Sequence, residues 1–65
     1  MTLDEAQGLV GTDRLWLPPG TGKILVGVTV VAARMSYGRA QLHVQPLSGR
    51  GDRWVDAEMT QAVED

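Results

Sequence analysis

The chain has 65 residues, no cysteine, a single histidine and a formal net charge of −2. Such a length is near the lower limit for autonomous folding and leaves room for one core, and the missing cysteine excludes disulfides and thiolate metal sites. One histidine, His43, cannot build a histidine zinc site and no Asp-x-Asp-x-Asp-Gly loop is present, so neither a metal nor a cofactor is expected.

Residues Leu3 to Val10 suit one helical turn or an arm, since Asp4, Glu5, Ala6 and Gln7 are acceptable in a helix until Gly8 stops it. Leu15-Trp16-Leu17 reads as a short first strand, ended by Pro18-Pro19, which cannot continue a ladder without N–H donors. Lys23 to Ala33 is the strongest element. Its β-branched Val26, Val28, Val30 and Val31 favour a strand, with Ile24, Val26, Val28, Val30 and Ala32 expected on the core face. The opposite face, including Leu25, Val31 and Ala33, is also apolar, which implies cover on both sides or a bend at Gly27 between two sheets.

Ser36-Tyr37-Gly38 makes a tight connection into Arg39 to Pro46, where Ala40, Leu42 and Val44 alternate inward with Arg39, Gln41, His43 and Gln45 outward. The two strands therefore form an antiparallel hairpin. A glycine-rich turn then leads to Arg53-Trp54-Val55, one helical turn over Asp56-Ala57-Glu58-Met59, and a last short strand around Thr60 to Val63.

This layout resembles the SH3-like barrels, a broad group that includes SH3, Tudor and KOW-type modules. The likeness lies in a short strand, a long loop, a long bent hairpin, and a Trp54-Val55 pair followed by one helical turn and the apolar Met59. The likeness covers about residues 13 to 63 and implies an all-β fold, a small five-stranded SH3-like barrel with one helical turn before the last strand; the chain then divides into residues 1–12, an N-terminal arm or short helical turn, and a barrel of residues 13–65. The acidic cluster and paired aromatics of a proline-binding SH3 groove are missing, so that activity is not implied.

The longest apolar run, Ile24 to Ala33, is far shorter than the roughly 20 residues needed to cross a bilayer. The first residues are acidic where a secretory signal is basic, and a cytoplasmic location without membrane contact is the expectation. With no disulfide or metal to staple so small a scaffold, self-association into a homodimer is expected.

Two motif matches fail on inspection. Pro18 to Lys23 copies the centre of an ATPase phosphate loop, but Leu17 replaces its first glycine and Ile24 the hydroxyl that would hold magnesium. Arg50-Gly51-Asp52 matches an integrin-binding tripeptide, yet Gly-Arg-Gly-Asp is also a good turn sequence. His43, Ser36, Ser48, Asp52 and Tyr37 supply no nucleophile, base and orienting group in one constellation, so the chain is not expected to be an enzyme.

Charge is distributed unevenly: residues 23–53 carry Lys23, Arg34, Arg39, Arg50 and Arg53 against Asp52 alone, while the rest is acidic. Trp16 and Trp54 are expected in the core, leaving Tyr37 as the exposed aromatic. Two non-catalytic functions follow. The first is contact with nucleic acid or a nucleoprotein through Arg34, Tyr37, Arg39, Gln41, His43, Arg50 and Arg53. The second is a protein interaction through a strand edge or the aliphatic outer face of Leu25, Val31 and Ala33.

Overall fold

The N-terminal turn forms where the sequence places it. In the computed structural model, which describes residues 1–20, 22 and 24–63, helix α1 spans Leu3–Gln7. Thr2 and Glu5 close a capping box around its first turn, satisfying donors that a short helix otherwise leaves to water. Its one buried side chain, Ala6, is fully enclosed in the core. The chain then enters the sheet through Gly11 and Val30, whose N–H groups donate to the carbonyls of Val30 and Thr12 respectively.

Five antiparallel strands follow: β1 (Asp13–Trp16), β2 (Val26–Ser36), β3 (Arg39–Pro46), β4 (Arg53–Asp56) and β5 (Thr60–Ala62), in the order β4-β3-β2-β1-β5. The domain is all-β, as expected, with a 3-10 turn over Ala57–Met59 before the last strand. That turn has a geometric consequence. Crossing five strands side by side takes about 19 Å at ordinary strand spacing, yet a three-residue 3-10 turn advances only about 6 Å. Because it links the two outermost strands, β4 and β5, the sheet must curve enough to bring the end of β4 near the start of β5. The ends of β2 serve different neighbours: Val26 to Thr29 pair with β1, and Val28 to Ser36 with β3.

The central strand differs from its expected form in position and phase. It begins at Val26 rather than Lys23, and Ile24 lies outside it and is exposed. Pairing with β3 slips between Val30 and Ala32, a bulge in which Val31 is the extra residue and points to solvent. The slip exchanges the faces beyond it. Ala32 pairs with His43 on the outer face, whereas Ala33 pairs with Leu42 and packs on the core, the reverse of the simple alternation. The irregular pairing is thus at Val31 and not at Gly27, over which the Leu47 side chain sits. Of the aliphatic outer face expected over Leu25, Val31 and Ala33, only Leu25 and Val31 are exposed.

Between the coiled faces lie Val28, Val30, Leu42 and Val44, all fully buried, with Ala40, Val55, Ala57 and Trp16 around them. Each large aliphatic side chain removed from water contributes about 1.5–3 kcal/mol. One buried hydroxyl joins β1 to β5: Thr60 Oγ1 donates to the Ala57 carbonyl at 2.7 Å and accepts from Arg14 Nε at 2.9 Å.

Candidate functional site

Alternation along β3 holds as expected, so Gln41 and His43 lie on the face opposite Leu42 and Val44. The register of β4 brings Trp54 beside His43 and Asp56 beside Gln41, while that of β2 brings Arg34 beside Gln41. These side chains form one connected surface. The His43 and Trp54 rings stack with centroids 4.9 Å apart and 19° between planes. The Arg34 guanidinium lies 4.0 Å from the Trp54 ring centroid, and its Nε donates to Gln41 Oε1 at 2.9 Å. Trp54 is therefore half-buried on the outer face and not a core residue, contrary to expectation.

Carboxylates interrupt the basic stretch. Asp56 takes an ion pair from Arg39 at 3.5 Å and a long contact from Gln41 Nε2, also 3.5 Å. Asp52 stands 3.7 Å from His43 Nε2. Arg53 turns the other way at the edge of β4 and lays its guanidinium 5.1 Å from the centre of the Trp16 ring. Arg50 is exposed in the turn before β4. Tyr37 is fully exposed at the tip of the β2–β3 hairpin, as expected, with a positive φ of 52°.

Beside β4 opens a groove of about 250 Å³, with Trp16, Pro19, Arg53, Trp54 and Met59 in its wall. The structure thus gathers Arg34, Gln41, His43 and Arg39 on one face, puts Arg53 at its border, and leaves Tyr37 and Arg50 in turns outside it. Trp54, Asp56, Trp16, Pro19 and Met59 were not foreseen as site residues. Strict alternation through Arg53-Trp54-Val55-Asp56 would have found two of them, since the residues flanking a core Val55 must point outward. The resemblance to the phosphate loop has no helix after it: the next element is β2, and Thr21 and Lys23 of that segment lie outside the described residues. Among the described residues no group of three or more His, Cys, Asp or Glu is arranged to hold a metal. No described helix is long and apolar enough to cross a membrane.

Compared with known proteins, the chain matches no family model, no curated protein and no solved structure.

Proposed function

We propose that this domain is a non-catalytic protein-interaction module that receives an extended polypeptide segment in the groove along β4, and that its fold belongs with the SH3-like barrels. The observation carrying the functional reading is that groove. It lies at an edge strand, where backbone groups are free to pair with an added chain, and two tryptophans, a proline and a methionine line it. Aromatic and methionine side chains are the residue types enriched where proteins bind one another. The fold assignment rests on the strand order β4-β3-β2-β1-β5 together with the 3-10 turn that carries the chain from one edge to the other.

The nucleic-acid reading draws less support. Binding to a phosphate backbone needs cations that are free to replace counterions. Here Arg39 is already paired with Asp56, and Asp52 and Asp56 stand among the remaining outward side chains. A polyanion laid across this face would meet both carboxylates.

Selection of random heptapeptides displayed on phage tests the proposal. Enriched sequences are expected to bind the purified wild-type domain at micromolar to millimolar concentration, and Trp54→Ala should weaken them at least tenfold, as for a central interface tryptophan. Equal binding to Trp54→Ala would place the contact elsewhere. Salt-dependent binding of mixed-sequence single-stranded DNA, with no peptide enriched, would restore the nucleic-acid reading.

A further inference from the structure

The arginines of the strands fall into two kinds. Arg39 and Arg14 are committed within the fold, the first to the Asp56 carboxylate and the second to the Thr60 hydroxyl and carbonyl. Arg34 and Arg53 are not. Each rests on a tryptophan, Arg34 on Trp54 and Arg53 on Trp16, and neither has a carboxylate partner among the described residues. Both of these tryptophans line the groove, and so does Arg53 itself.

A guanidinium lying on an aromatic ring loses water from one face but keeps N–H donors around its edge. Those donors match the two oxygens of a carboxylate, and ring contact lowers the entropy lost when they are engaged. Among the described residues, the hydrogen bond of the Arg34 guanidinium is from Nε to Gln41. The groove therefore combines an apolar floor with one such guanidinium, Arg53, in its wall and a second, Arg34, on the ring of the wall residue Trp54, neither with a carboxylate partner among the described residues. The nearby carboxylates limit how much negative charge it accepts: Asp56 itself lines the groove and Asp52 stands beside His43, so they repel a continuous polyanion more than one or two separate acids.

Resting on the reading of the groove as a peptide site, we infer that its ligand is an extended segment in which a bulky apolar side chain is flanked by carboxylates. The apolar group occupies the space against Trp16, Trp54 and Met59, and the acids meet Arg53 and Arg34. This is a selectivity arising from charge complementarity, and it sets the module apart from one that reads a neutral chain.

The probes are N-acetylated, C-amidated heptapeptides with a central leucine and two glutamates, placed either next to the leucine or two residues away, alongside the same peptides with glutamine for glutamate. Binding is followed by tryptophan fluorescence and by NMR shifts on the wild-type domain, so the peptide comparison itself needs no variant. At least one glutamate peptide is expected to bind five- to tenfold more tightly than its glutamine twin, with the difference shrinking as salt rises. Arg53→Gln and Arg34→Gln, with melting curves confirming the fold, should each move the ratio of glutamate-peptide to glutamine-peptide affinity toward one. Equal binding of both peptides at the groove signals would overturn the carboxylate inference and leave the peptide site standing. No shift at Trp16, Trp54 or Met59 with any peptide would overturn both.

Discussion

Replacing Tyr37 with asparagine should make the domain more stable, although it removes one of its few aromatic residues. Tyr37 and Gly38 are the two central residues of the β2–β3 turn and both have positive φ, 52° and 76°, the signature of the type I′ turn that matches the twist of paired strands. Glycine adopts this conformation freely. A residue with a Cβ pays roughly 1–2 kcal/mol there, and asparagine pays less because its side chain bonds locally to the backbone. Nothing is lost on the other side of the balance, since the Tyr37 ring is fully exposed and buries no surface on the domain. The expected gain is about 0.5–1 kcal/mol, which for a domain of this size raises the melting temperature by about 2–8 °C. Urea denaturation with an unchanged slope would report it as stability and not as altered compactness. Tyr37→Ala is the control, because alanine pays the same backbone penalty and should leave stability within about 0.5 kcal/mol. If Tyr37→Asn melts at or below the wild-type temperature, the turn does not carry the strain assigned to it.

Other consequences of the fold are open to equally direct measurement. Val28→Asp should abolish cooperative unfolding, because an unpaired carboxylate at a position 1% exposed costs several kcal/mol, about the whole stability of roughly 3–5 kcal/mol expected at this size; a folded, cooperatively melting mutant would contradict the core assignment. Thr60→Val keeps the shape but leaves Arg14 Nε and the Ala57 carbonyl without their hydroxyl partner. It should cost about 1–3 kcal/mol in chemical denaturation, and a neutral result would show that water replaces the bond.

Much of the architecture could be read from local pattern. The alternation of Ala40, Leu42 and Val44 against Gln41 and His43 gave β3 its correct faces because a strand without irregularity obeys period two throughout. The breakers Gly8, Pro18 and Gly38 marked real ends for the same reason: their backbone limits act on the spot. Beyond Val30 that logic stops working, because a bulge is a compromise between two strands and its place depends on the register with β3. Residues Ala32 to Ser36 consequently carried the wrong face or the wrong element. The site was half visible. Gln41 and His43 were legible as outward groups and Arg34 as a contact residue, but their pairing with Asp52, Asp56 and Trp54 arises from which strand lies beside which, and no spacing within one segment encodes that. Trp54 was misplaced by size, since a large aromatic in a small domain is usually core. Here Trp16 is the buried tryptophan, whereas Trp54 alternates with the core residue Val55 and stacks on His43.

The bulge at Val31 also bears on how the chain can change length. Long central strands tolerate the loss of a residue badly, because every side chain beyond the deletion is carried to the opposite surface. In β2 the opposite holds at one place: without Val31, an exposed residue, the run Val28, Thr29, Val30, Ala32, Ala33, Arg34 alternates without interruption, and each side chain keeps the side it now occupies. Arg34 would still stand toward Trp54 and Ala33 toward Leu42, and what would go is the local bend. The middle of the longest strand is therefore a position where a shorter version of this domain retains both its interior and its groove-side face.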